Sequence, residues 1–156
     1  MAAVKTGALI VVEQEVKLGE YEETGIPVDA VVTSQLLINI FEHNTPLHDG
    51  AVLIRNNRIT SATCYLPLSA NMNISKAMGT RHRAALGLSE VSDAKIFVVS
   101  EETGSMSMAQ GGKITRDIDR EFIMSQFQYK DEKEKKSQVI RNKLRQYTRK
   151  GGKTDA

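Results

Sequence analysis

Gly50-Ala51-Val52-Leu53-Ile54-Arg55, then Asn56-Asn57, then Arg58-Ile59-Thr60-Ser61-Ala62-Thr63-Cys64-Tyr65-Leu66: two apolar runs rich in β-branched residues flank a pair of asparagines. Asparagine tolerates the positive φ that a two-residue hairpin turn demands, so this stretch predicts two antiparallel strands. The first strand is expected to begin immediately after Asp49. Ala8 to Val12 and Lys95 to Ser100 are short β-branched runs of buried-strand type, and Ser105 to Gln110 alternates weakly enough to pair back on the latter. Between them, Thr33 to Phe41 places Leu36, Leu37, Ile40 and Phe41 on one helical face, with Thr33 or Ser34 as cap. Thr80 to Leu88 reads as a helix packing through Ala84, Ala85 and Leu88, and Asp117 to Phe127 as a closing helix. Gly25-Ile26-Pro27 and Gly111-Gly112 read as turns, and residues 67 to 78 as loop. Interleaved strands and helices with an antiparallel hairpin predict an α/β fold: a single globular domain with a central mixed β-sheet flanked by helices.

The bulk properties narrow the function classes. The 156 residues suffice for one domain with its own core. A single cysteine, Cys64, excludes an intramolecular disulfide framework and fits a reducing compartment; within Ala62 to Leu66 it reads as a buried structural thiol. No apolar run approaches the ~20 residues of a membrane span and no secretory signal opens the chain, so the chain itself is expected to be soluble and cytoplasmic. The net charge of +2 is uneven: residues 130 to 156 carry 10 Lys/Arg against 4 Asp/Glu, leaving the remainder mildly acidic. A basic tail on an acidic body argues against nucleic acid as partner. The expected organisation is therefore a domain over residues 1–129 and a basic C-terminal extension over 130–156, helical or disordered. Within that extension Ile140, Leu144 and Tyr147 share helical spacing.

Several residues are suited to chemistry on a metal-bound nucleotide. Asp49, beside His48 and ahead of Gly50, puts a carboxylate at a strand entrance where it can bind a divalent cation or orient a hydroxyl; alone, Asp-Gly is equally a plain turn. Gly79-Thr80-Arg81-His82-Arg83 concentrates charge at the head of an otherwise apolar helix. It suits either phosphate, with the open helix amides assisting, or a salt-bridged structural role. Ser100-Glu101-Glu102 follows a buried strand, where α/β folds place ligand groups, although an exposed acidic turn reads the same way. Tyr65-Leu66 offers an aromatic face for a base and backbone groups for its edge, or simply core. No P-loop, Rossmann fingerprint, GxSxG elbow or paired CxxC occurs, which excludes a conventional ATPase, kinase or dehydrogenase.

Taken in order, Leu-Leu-Ile-Asn-Ile-Phe (36 to 41), Asn-Thr-Pro-Leu-His-Asp-Gly-Ala (44 to 51), Cys-Tyr-Leu-Pro-Leu-Ser (64 to 69), Gly-Thr-Arg-His-Arg-Ala-Ala (79 to 85) and Val-Ser-Glu-Glu-Thr-Gly (99 to 104) resemble the diadenylate cyclase (DAC) domain. The resemblance runs from about Thr6 to Phe127 and is greatest to the membrane-anchored type of Gram-positive bacteria. It implies the DAC fold and a nucleotidyltransferase that condenses two ATP into the second messenger cyclic di-AMP, releasing two pyrophosphates. It further implies Asp49, Arg81, His82 and Arg83 as catalytic, and Gly50, Ala51, Tyr65, Leu66, Thr80, Ser100 and Glu101 as nucleotide-binding. His48, Asp49 and Glu102 are the implied ligands of Mg²⁺ or Mn²⁺. Each protomer of the family brings one ATP, so a homodimer is expected for turnover, with a regulatory protein as a further possible partner.

The chain departs from that pattern in carrying no membrane helices ahead of the domain. Met1-Ala2-Ala3 abutting it reads as a truncation that removes an N-terminal membrane anchor of the full-length protein. The basic extension also lies outside the family's catalytic pattern. Two other readings are retained: a catalytically silent module that senses ATP or cyclic di-AMP, and an assembly module acting through partners of the basic tail.

Overall fold

The computed structural model describes residues 1–71, 73–76 and 78–150. The chain divides into two compact units, Met1–Ile118 and Asp119–Ala156. The first is built on a seven-stranded sheet of strands β1 (Ala8–Val12), β2 (Ile26–Val31), β3 (Ala51–Arg55), β4 (Arg58–Cys64), β5 (Lys95–Val99), β6 (Met106–Gln110) and β7 (Lys113–Thr115), in the order β2-β4-β3-β1-β5-β6-β7. β1 pairs parallel with β3, and the remaining neighbours are antiparallel, so the sheet is mixed as expected.

The central strands are buried on both faces, which is why they are near-continuous apolar runs. Their alternation distributes side chains to two cores. Leu9, Val11, Ala51, Leu53, Ile96 and Val98 lie in a core with Ala84, Ala85 and Leu88 of helix α3 (Thr80–Val91). Ala8, Val52, Ile54 and Val99 lie in a second core with Ile40 and Phe41 of helix α2 (Ser34–Phe41). Two helices thus cover opposite faces, and one residue of shift in either strand would exchange its two apolar sets. Thr33 caps α2, its hydroxyl accepting from the Leu36 amide at 3.1 Å.

The predicted hairpin is present, with Asn56 (φ 49°) and Asn57 (φ 60°) both left-handed between β3 and β4. β3 begins one residue later than expected, at Ala51. Gly50 before it takes φ +86°, and a Cβ there would lie 2.8 Å from the Thr63 carbonyl carbon, so both conformation and space require glycine.

One local expectation needs correction, and two short elements carry no sequence signal. Gly25-Ile26-Pro27 is not simply a turn, since Ile26 opens the edge strand β2. An edge position tolerates the missing amide of Pro27, and a register shift between Pro27 and Ala30, with Asp29 at φ 47°, accommodates it. The polar segment before it contains a one-turn helix, α1 (Gly19–Glu22). Lys113–Thr115 forms an edge strand too short to leave a periodic signal. The second unit is described as one helix, α4 (Arg120–Lys150), which begins after the capping carboxylate of Asp119 and runs without a break through residue 130. Ile140 and Leu144 are exposed on it, and the Tyr147 side chain lies outside the described residues. No helix among the described residues is long and apolar enough to cross a membrane.

At the far end of β1, the side chain of Glu13 is only 3% exposed. Its two oxygens accept from Arg55 Nε (2.9 Å) and Nη2 (3.1 Å), from Lys17 Nζ (3.2 Å) and from the Leu18 amide (3.0 Å); Arg55 also reaches Glu22. Burial alone would raise the Glu13 carboxyl, but the Arg55, Leu18 and Lys17 hydrogen bonds together hold it below the ordinary 4.5. A carboxylate depressed in the folded state stabilises above its unfolded value, and that stabilisation is lost as pH falls through the folded value. Urea unfolding of the wild type should therefore weaken progressively below about pH 4.5, and E13Q should flatten that decline while lowering stability at pH 7. Parallel pH profiles of the two proteins would contradict this assignment.

Candidate active site

The sheet topology gathers the chemistry-bearing segments at one end. β1 and β3 are parallel, so both enter there, preceded by Gly7 and by His48-Asp49-Gly50. β4 and β5 run antiparallel to them, with Cys64 opposite Ala51 and Val99 opposite Ala8, so both exit there into Tyr65-Leu66 and Ser100-Glu101-Glu102. The start of α3 completes the ring. Together they line a cavity of about 660 Å³ bounded by His48, Asp49, Gly50, Tyr65, Leu66, Thr80, Arg81, His82, Ser100, Glu101 and Glu102. That size suits one drug-sized ligand.

Two of the expected site residues lie elsewhere. Ala51 is fully buried in the core beneath α3, where it anchors β3 behind Gly50. Arg83 is exposed on α3 outside the cavity lining, while its carbonyl accepts from the Ser69 amide. The cavity also takes in Leu9, Cys64, Leu68 and Val99, which supply an apolar floor and wall. Leu9 could have been found from alternation, since it shares a face with Val11. Leu68 sits in a loop with no such signal.

Each polar group has a defined setting. His48 Nδ1 lies 2.6 Å from the Thr45 carbonyl oxygen, a contact in which Nδ1–H donates and which orients the ring. Asp49 is exposed, and one of its oxygens accepts from the Gly50 amide at 3.0 Å. Tyr65 is 73% exposed, which excludes a core role. Its amide donates to Thr24 Oγ1 at 2.9 Å, pinning the backbone while the ring stays open to a ligand. Cys64 is inert, because burial pushes its thiol up to about 11.

At the head of α3, Gly79 provides no side-chain cap, so the first-turn amides remain available to an anion. Arg81 Nη1 donates to Glu101 Oε2 at 3.0 Å, with the arginine side chain 22% exposed. His82 is buried, with Nε2 3.5 Å from Ser107 Oγ; burial first, and Arg116 second, lower its pKa and favour the neutral ring. It therefore acts as a hydrogen-bonding group beside the arginines rather than as a third cation.

The donor set suits a hard divalent cation. The imidazole of His48 and the carboxylates of Asp49 and Glu102 border the same cavity. Among the described residues, however, no three His, Cys, Asp or Glu side chains converge as a cage. Mg²⁺ in particular is commonly held by one or two carboxylates together with substrate phosphates, so a partial protein shell fits.

Comparison with known proteins bears on the family and the fold. Residues 1–114 match the family model described as DAC, DisA bacterial checkpoint controller nucleotide-binding. The chain is 54% identical over 123 residues to the cyclic di-AMP synthase CdaA of Bacillus subtilis, covering 79% of this chain and 45% of that protein. It is 57% identical over 121 residues to a diadenylate cyclase of Listeria monocytogenes, covering 78% and 44%. The chain thus spans less than half the length of these relatives. Its structure is similar to that of a double mutant of DacA from Staphylococcus aureus, with a TM-score of 0.80 and 51% identity over 81% of this chain and 85% of that one. A protein of Bacillus cereus, described as a hypothetical membrane-spanning protein, matches with a TM-score of 0.72 and 50% identity over 75% of this chain and 57% of that one. With a family model matched over most of its length and relatives more than half identical to it, the chain belongs to the DAC family.

Proposed function

We propose that this chain is the catalytic domain of a diadenylate cyclase, which condenses two ATP into cyclic di-AMP with release of two pyrophosphates. The observation that carries the reading is the convergence of Asp49, the Thr80-Arg81 helix start, Tyr65 and Ser100-Glu101-Glu102 on one nucleotide-sized cavity. Relatives named as cyclic di-AMP synthase and diadenylate cyclase support it.

In this reading the Tyr65 ring stacks on adenine and Leu66 reads its edge, while Gly50 lets the backbone approach the nucleotide. Thr80, Arg81 and His82 hold the phosphates, with Ser100 and Glu101 completing the pocket. Asp49 orients the ribose 3′-hydroxyl and accepts its proton as the oxygen attacks the α-phosphorus of a second ATP, in line with departing pyrophosphate. Positioning and charge neutralisation supply most of the rate in such transfers. His48, Asp49 and Glu102, completed by phosphate oxygens, would hold Mg²⁺ or Mn²⁺, which neutralises charge on the reacting phosphate.

The cavity of one chain presents a single Asp49 and a single phosphate-binding helix start, so it serves one ATP, and the partner nucleotide must come from a second copy facing it. Arg83, exposed beside the cavity and outside its lining, is then available to a nucleotide held by that copy. By the same reading the full-length protein is held at the membrane by helices preceding this domain, as the membrane-spanning description of one structural neighbour suggests.

Incubation with ATP and Mn²⁺ or Mg²⁺, with products resolved by chromatography and mass detection, tests the activity. Cyclic di-AMP and pyrophosphate should form, and D49N should lose at least about 100-fold in rate while still binding ATP. ATP bound but unconverted by the wild type would favour a sensor, and ATP neither bound nor converted would overturn the reading.

A further inference from the structure

Gly7, buried immediately before β1, is the floor against which Arg81 lies. A Cβ placed on Gly7 would stand 2.7 Å from Arg81 Nη1, 2.8 Å from its Cζ and 3.1 Å from Glu101 Cβ. The first two distances are too short for any side chain, so the guanidinium occupies the space that only glycine leaves. Glu101 holds the same group through Nη1 at 3.0 Å. Arg81 Nε is buried with no hydrogen-bond partner among the described residues, an arrangement that costs stability and that packing around the stem must maintain. The backbone of Gly7 does not lie in the left-handed region, so alanine is conformationally acceptable there. The guanidinium and the neighbouring Glu101 Cβ are then what oppose a side chain. Because the guanidinium is the far end of a flexible chain, it can swing away with little damage to the fold.

We propose that Gly7 is a positioning residue for the phosphate-binding arginine: its missing side chain lets the Arg81 guanidinium lie against the β1 entrance, clamped by Glu101 and aimed into the nucleotide cavity. The inference rests on the assignment of Arg81 to phosphate made above. It extends the site to a residue that has no functional group and that the cavity lining does not include.

The test is a double-mutant cycle on binding of α,β-methylene-ATP, read by calorimetry with Mg²⁺ present, together with thermal unfolding. R81A should weaken binding by about tenfold or more, as expected for loss of charge-assisted hydrogen bonds. G7A should weaken it comparably with a melting midpoint near that of the wild type, and G7A/R81A should bind no worse than R81A. Wild-type binding by G7A, or additive losses in the double variant, would overturn the proposal while leaving the role of Arg81 standing. Unchanged binding by R81A would overturn both. Should G7A fail to fold, a folded G7A/R81A would support the clash with Arg81, and failure of both to fold would overturn it.

Discussion

One parallel ladder governs the molecule. Because β1 and β3 run side by side in the same direction, their entrances fall at the same end of the sheet, and the antiparallel β4 and β5 are obliged to exit there. Segments far apart in sequence, around Gly7, Asp49, Tyr65 and Glu101, are thereby brought to a single rim. The burial of both sheet faces fixes that register, since a one-residue slip of β1 or β3 would turn each apolar set toward the wrong helix. A rigid rim is the setting in which positioning can serve catalysis.

The rim is electrostatically divided. Acidic and imidazole groups from the β3 entrance and the β5 exit meet the open amides and arginine of the α3 start across the cavity. Arg81 is paired with Glu101, so under the proposed function an incoming phosphate would meet an arginine already oriented rather than one that must be ordered. His82, kept neutral by burial, adds a hydrogen-bonding nitrogen without adding repulsion between cations. At the opposite end of β1, Glu13 and Arg55 tie the ends of β1 and β3 together, so the same parallel pair is secured there.

Much of this was legible in the residues, for identifiable reasons. Short β-branched runs marked β1, β3, β4 and β5, and Asn56-Asn57 marked the hairpin, because these signals are local. The edge strands were not legible: β2 contains Pro27 and is largely exposed, and β7 is three residues long, so neither carries a buried apolar run. Motif residues such as Asp49, Tyr65, Thr80, Arg81 and Glu101 do meet at the cavity, but Ala51 points its methyl into core and Arg83 lies outside the lining. Helical and strand phase decide such matters, and phase follows from the register of the whole sheet. The place of Gly7 was invisible for the same reason, since only the fold brings Arg81 over it.

The central claim is that each chain holds half of a two-nucleotide site. It is tested most directly by specific activity measured against chain concentration, alongside sedimentation velocity over the same range. Specific activity should rise as monomer gives way to dimer and level off once dimerisation is complete. A constant specific activity through the concentrations at which the chain sediments as monomer would contradict the account.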